Sequence, residues 1–116
     1  MKVLIAEDTE SVRGALRMAM DHLGHEVVGC AVNGRDAIEQ YETTRPEIVL
    51  MDVRMPKMDG LTATTELARR DPDAKVVIVT ATRTTKKEAH DAGARGYVEK
   101  PFAVADLADE IQRASR

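Results

Sequence analysis

Five short runs along this chain are rich in apolar residues. Each run is rich in β-branched residues and too short for a helix, which predicts five strands. The runs are residues 2–6, 26–30, 48–51, 75–80 and 97–100.

The segments between and after these runs have the spacing of amphipathic helices, with apolar residues recurring at steps of three and four. The predicted helices are residues 12–23, 34–43, 60–69, 84–93 and 104–111. Asn33 is a plausible N-cap for the second helix, which turns Ile38 and Tyr41 inward. The fourth helix offers only Ala89 and Ala92 to a core, so we expect it to be the most loosely held.

Strand and helix alternate five times, which predicts right-handed crossovers and a parallel sheet covered by helices on both faces. The first, third and fourth runs contain continuous apolar stretches at residues 3–6, 48–51 and 76–79 and suit central strands, whereas the stretches at 27–28 and 97–98 are shorter and suit edges. The predicted fold is therefore a doubly wound (βα)5 α/β domain with strand order 2-1-3-4-5.

Composition fits one water-soluble domain over residues 1–116, with 43% hydrophobic and 32% charged residues. The net charge of -3 argues against direct nucleic-acid binding. A lone Cys30 and the lack of a leader or long apolar stretch favour a cytoplasmic protein without membrane contact.

Polar residues stand where four of the predicted strands end. Glu7 and Asp8 follow the first strand and Asp52 follows the third, while Thr80 and Lys100 close the fourth and fifth. Carboxyl ends of parallel strands share one edge, and ligands bind there where strand order reverses, between strands one and three. We therefore expect three acids to meet in one crevice.

Three neighbouring carboxylates repel one another, so the crevice should attract a cation. An all-oxygen site suits Mg²⁺, which keeps several waters and prefers one or two carboxylates together with phosphate oxygens. Imidazole or thiolate metals are disfavoured, because His22, His25, His90 and Cys30 are expected elsewhere.

Four stretches of the chain resemble the CheY-like receiver domain of two-component response regulators, which has a flavodoxin-like fold. The stretches are "LIAEDTESVR", "IVLMDVRMPKMDG", "VVIVTA" and "GARGYVEKPF". The acid pair, the D-x-x-M-P-x-M-D-G segment, the T-A dipeptide and the K-P-F tripeptide occur in the family's order and spacing, across essentially the whole chain.

The resemblance implies that Asp52 accepts a phosphoryl group from a sensor histidine kinase or a phosphotransfer protein. It implies a Mg²⁺ site in which Asp8 ligates directly, Glu7 acts mainly through water, Asp52 contributes its carboxylate and Arg54 its backbone carbonyl. An aspartate is ionised at neutral pH, so it can act as a nucleophile without a base.

The resemblance also implies which residues transmit the signal. Thr80 and Lys100 would contact the bound phosphoryl group, and Tyr97 would be the aromatic switch that moves when Thr80 turns. The surface of the fourth helix, fifth strand and fifth helix would then signal to a downstream effector protein or output domain. Lys100-Pro101 corresponds to a cis peptide in the family.

Several alternatives stay open. A haloacid-dehalogenase-like phosphatase would need a second acid where Arg54 stands, and no glycine-rich phosphate loop supports a nucleotide-binding module. The chain could stand alone or be the receiver portion of a longer transcriptional or enzymatic regulator, as a monomer or a phosphorylation-dependent dimer. It is expected to be no enzyme beyond slow self-phosphorylation and self-dephosphorylation. Arg54 and Thr82 occupy positions that influence phosphoryl lifetime in the family.

Overall fold

A computed structural model of the chain describes residues 1–81, 83–84 and 86–116. Five strands and five helices alternate in this described part. In chain order they are β1 (Lys2–Ala6), α1 (Glu10–His22), β2 (Glu26–Ala31), α2 (Gly34–Thr44), β3 (Ile48–Met51), α3 (Gly60–Arg70), β4 (Val76–Thr80), α4 (Lys86–Asp91), β5 (Gly96–Glu99) and α5 (Val104–Ala114). Thr82, noted above for phosphoryl lifetime, lies outside the described residues.

The strands form one parallel sheet in the order β2-β1-β3-β4-β5. The predicted doubly wound fold and strand order are therefore confirmed. Strand order reverses beside β1, which pairs with β3 although β2 comes between them in the chain. The crevice outside the carboxyl ends of β1 and β3 is thus the switch point of the sheet.

The core consists of two apolar layers, one on each face of the sheet. Successive side chains of a strand point to opposite faces, so Leu4 joins one layer while Val3 and Ile5 join the other. The residues of β1 after Lys2 and every residue of β3 and β4 are buried, which explains why the central strands are continuously apolar. β2 and β5 are only partly covered, as expected for edges.

The helix ends follow local sequence. The Asn33 side chain accepts a hydrogen bond from the Asp36 amide at 2.7 Å, which confirms the predicted cap of α2. α4 spans six residues and buries only Ala89, so it is shorter than the predicted 84–93. The helix cannot continue through Gly93, whose φ of 108° ends it in the turn that follows.

None of the helices in the described ranges is both long enough and apolar enough to cross a membrane.

Candidate functional site

The sheet brings the acid pair and Asp52 side by side. Ala6, the last residue of β1, pairs with Met51, the last residue of β3. The Asp52 amide continues this ladder by donating to the Ala6 carbonyl at 2.9 Å. Residues that directly follow β1 and β3 must therefore be neighbours, whatever their side chains.

The three predicted acids form one cluster. One oxygen each from Glu7, Asp8 and Asp52 lies within 4.8 Å of the other two, and it is the only group of potential metal ligands of this kind among the described residues. Glu7 is 1% exposed and Asp52 is 7% exposed, whereas Asp8 faces solvent. Such close carboxylates require positive charge nearby, because partial burial weakens solvent screening.

Lys100 supplies one positive charge. Its Nζ lies 2.5 Å from Glu7 Oε1 and 3.3 Å from Asp52 Oδ1. The Lys100 amide donates to the Thr80 carbonyl at 2.9 Å, so the end of β4 fixes the backbone from which this side chain reaches the acids. The Lys100-Pro101 peptide is cis, as the resemblance implies.

Both carboxylate oxygens of Glu7 have a hydrogen-bond partner. Oε1 meets Lys100, and Oε2 accepts from the Thr9 amide at 3.0 Å. Its backbone carbonyl accepts from Arg13 Nη1 at 2.9 Å. The Glu7 side chain therefore has little freedom, in contrast to the exposed Asp8.

Asp52 has one engaged oxygen and one open oxygen. Oδ1 accepts from the Val53 amide at 2.9 Å and pairs with Lys100, while no donor from the described part of the chain bonds to Oδ2. Asp52 also lines a cavity of about 780 Å³. A carboxylate is thus oriented beside a cation in the wall of a cavity.

The loop after Asp52 is shaped by Gly60. A Cβ atom on this residue would lie 1.7 Å from the Asp52 carbonyl oxygen, so only glycine fits. The Gly60 amide donates to the Val53 carbonyl at 2.7 Å, and the Asp59 side chain caps α3 by accepting from the Thr62 amide at 2.8 Å. The D-G dipeptide therefore folds the loop back against the acid that precedes it.

The cavity over the acids, which we call the acid cavity, is lined by both acidic and basic residues. It is lined by Asp8, Thr9, Val12, Asp52, Arg54, Ala81, Arg83 and Lys100. Arg54 and Arg83 are exposed, and neither takes part in an ion pair with a described residue. Sequence reasoning missed Arg83, since its only signal is a place three residues after Thr80.

A second cavity of about 970 Å³ adjoins the first, between the end of β4, α4, β5 and α5. We call it the groove. Thr80 is buried and lines the groove rather than the acid cavity, together with Tyr97. The Tyr97 hydroxyl donates to the Thr84 carbonyl, and its amide donates to Glu110 Oε1 at 2.9 Å. Burial, followed by the charges of two nearby glutamates, raises the pKa of Tyr97.

Lys100, Ala81 and Arg83 line both cavities. The structure therefore brings the three acids and Lys100 together directly, and it sets Thr80 and Tyr97 in the adjoining groove. Arg54 lies at the rim, where the dehalogenase-like alternative would need an acid, and the cluster of three acids includes none from this position.

A 2-1-3-4-5 parallel sheet with an acid pair after β1, an aspartate after β3 and a lysine after β5 defines a receiver domain of two-component signalling. The chain belongs to this family, because the family model described as "Response regulator receiver domain" matches residues 3–112. The family resemblance stated from the sequence is confirmed.

Relatives of the chain include short and long proteins. It is 36% identical to the chemotaxis protein CheY of Thermotoga maritima, over 99% of this chain and 98% of that protein. It is 41% identical to the transcriptional regulatory protein PdtaR of Mycobacterium tuberculosis, over 97% of this chain but 56% of that protein. The chain thus spans nearly all of one relative and about half of another.

Solved structures show the same fold. CheY from the CheX-CheY-BeF3-Mg complex of Borrelia burgdorferi superposes with a TM-score of 0.92 at 26% identity, over 97% of this chain and 87% of that one. A LuxR-family two-component response regulator of Aurantimonas sp. gives a TM-score of 0.89 at 31% identity, over 96% of this chain and 81% of that one.

Proposed function

We propose that this receiver domain takes a phosphoryl group from a phosphohistidine onto Asp52 and passes the change to the groove. The observation that carries this proposal is that Asp52 lines the acid cavity with Oδ1 paired to Lys100, while no donor among the described residues bonds to Oδ2. A sensor histidine kinase or a phosphotransfer protein would donate the group.

The chemistry follows from the ionised carboxylate. An Asp52 oxygen attacks the phosphorus atom, the phosphorus–nitrogen bond of the donor breaks, and its electron pair leaves with the imidazole nitrogen. The product on the chain is an acyl phosphate. Lys100, whose Nζ lies 3.3 Å from Asp52 Oδ1, would offset the charge that builds up on the phosphoryl oxygens as two anions approach.

The donor set fits Mg²⁺, a hard cation that prefers oxygen ligands and retains water. Asp8 and Asp52 would bind it directly, and the backbone carbonyl of Arg54 would complete the protein ligands. Glu7 would act through water, because Lys100 and the Thr9 amide already engage its two oxygens. When bound, the ion supplies positive charge opposite the phosphoryl oxygens.

Thr80 and Tyr97 would carry the signal. Lys100 and Thr80 would contact the phosphoryl group, and the resulting turn of Thr80 would let Tyr97 move within the groove. The Tyr97 hydroxyl is anchored on the Thr84 carbonyl just before α4, and α4 buries only Ala89. A weakly anchored helix is a suitable element for a shift in population. The groove would then bind an effector protein or an output domain.

The short and the long relatives described above are both compatible with this role. A free-standing signalling protein and the receiver portion of a longer transcriptional or enzymatic regulator would use the same site. We propose no enzymatic activity beyond slow self-phosphorylation from small donors and slow self-dephosphorylation, in either a monomer or a phosphorylation-dependent dimer.

The test is incubation with Mg²⁺ and acetyl phosphate, followed by intact mass measurement. The wild type should gain one phosphoryl group in a base-labile form, and chelation of the metal should prevent the gain. Asp52→Asn should gain nothing, while Asp21→Asn, which alters an exposed acid on α1, should behave as the wild type. An equal gain in Asp52→Asn, or no gain in any variant from acetyl phosphate or a histidine kinase, would refute the proposal.

A further inference from the structure

Arg83 is an exposed cation between two cavities. It lines the acid cavity that holds Asp52 and also lines the groove. Lys100 has the same double position, but its ammonium is already engaged by two acids. No ion pair in the described part of the chain involves Arg83, so its guanidinium has donors available.

The charge of the acid cavity changes when Asp52 is modified. Three carboxylates and one ammonium leave a net negative charge that a divalent cation would cancel. An acyl phosphate carries about two negative charges where the free carboxylate carried one. Phosphorylation therefore adds roughly one negative charge that Lys100 and the metal do not balance.

The groove offers Arg83 a different set of acids. Asp106 and Asp109 of α5 line the groove and are exposed, and the ion pairs among the described residues include neither of them. Arg83 thus lines one cavity together with carboxylates of α5 and another together with Asp8 and Asp52. Extra negative charge on Asp52 strengthens the attraction of the Arg83 guanidinium toward the acid cavity.

We propose that Arg83 is a further phosphoryl-binding residue, whose guanidinium turns from the groove to the phosphoryl group on Asp52 and so carries the charge change into the groove. This inference rests on the proposed function. A guanidinium suits the task because it presents several donors in a plane and binds phosphate oxygens in pairs.

A second exposed cation allows a matched test. Of the two cavities, Arg83 lines both, whereas Lys86 lines only the groove. The variants Arg83→Gln and Lys86→Gln each remove one exposed positive charge. Isotope-labelled chain is titrated with beryllium fluoride in the presence of Mg²⁺, and amide NMR shifts are followed. Beryllium fluoride binds a carboxylate oxygen and imitates a phosphoryl group.

We expect Arg83→Gln to weaken the binding of beryllium fluoride about two- to fivefold, the range typical of exposed charge pairs. The weakening should diminish at high salt, because screening removes the wild-type advantage. At saturation, Arg83→Gln should also show smaller shifts of the Tyr97 and α4 amides. Arg83→Lys should restore part of both effects. Lys86→Gln should keep the wild-type affinity and the wild-type groove shifts at saturation.

Equal affinity and equal groove shifts in Arg83→Gln and wild type would overturn the inference while leaving the proposed function intact. The same loss of groove shifts in Lys86→Gln would also overturn it, since the effect would then reflect net charge alone. Both proposals would be refuted if the wild-type chain showed no Mg²⁺-dependent binding of beryllium fluoride and gained no phosphoryl group from acetyl phosphate or a histidine kinase.

Discussion

Replacing Gly60 with alanine tests how the loop holds Asp52. The added Cβ would lie 1.7 Å from the Asp52 carbonyl oxygen and 2.7 Å from its carbonyl carbon. Both are backbone atoms, so the two segments must separate. The separation strains the bonds Gly60 N–Val53 O at 2.7 Å and Asp52 N–Ala6 O at 2.9 Å.

The magnitude follows from these contacts. A strained backbone hydrogen bond loses about 1 kcal/mol, and overpacking in a tight site costs about 1–3 kcal/mol. We therefore expect Gly60→Ala to lower the free energy of unfolding by about 3–5 kcal/mol, a large share of the total for a domain of this size. Phosphoryl acceptance should fall too, because Asp52 is displaced from Lys100.

Gly14→Ala is the matched control. Gly14 is exposed within α1, and an added Cβ would meet nothing within 4 Å. Its replacement should raise the free energy of unfolding by about 0.5–1 kcal/mol, through helix propensity alone. Urea unfolding followed by circular dichroism measures both variants. A loss smaller than about 1 kcal/mol in Gly60→Ala would refute the reasoning about this loop.

Three further predictions concern charge. Lys100→Met should destabilise the metal-free chain by about 3 kcal/mol, because Glu7 is left buried without its partner; a thermal melt unchanged from wild type would contradict this. Mg²⁺ at a hundred times its dissociation constant should stabilise the wild type by about 2.7 kcal/mol. Asp8→Asn should lose most of that gain and should melt higher than wild type without metal, since one repelling carboxylate is gone; an undiminished Mg²⁺ gain would count against the site. Burial and a hydrogen bond to Asp71 raise the pKa of Tyr41 to about 12. The unfolded phenol ionises first, near pH 10, so the stability that Tyr41 contributes is complete below pH 10 and declines between pH 10 and 12. The stability difference between wild type and Tyr41→Phe should shrink over that interval, and a constant difference would refute the assignment.

Much of the fold is encoded locally. Residues 48–51 and 76–79 are apolar throughout because helices cover both faces of central strands, and together with the alternation of strands and helices this pattern indicates a parallel sheet. Asn33 marks the start of α2 through a hydrogen bond that spans only three residues. α4 ends at Asp91, two residues before Gly93, whose positive φ stops the helix.

The site was predictable as far as strand ends determine it. The neighbouring ends of β1 and β3 bring Glu7 and Asp8 to Asp52 without any long-range information beyond strand order. Other contacts depend on tertiary structure. Lys100 reaches Glu7 across 93 positions of the chain, and no spacing rule predicts that their charges pair. The double position of Arg83 likewise depends on where two cavities meet.

The most direct test of the central claim is to locate the modified residue. Chain treated with Mg²⁺ and acetyl phosphate is reduced with borohydride, which converts an aspartyl phosphate to homoserine, and its peptides are then sequenced by mass spectrometry. We expect homoserine at Asp52 alone, with Asp8 and Asp59 unchanged. Homoserine at Asp8, or a phosphoryl gain that leaves Asp52 intact, would contradict the account.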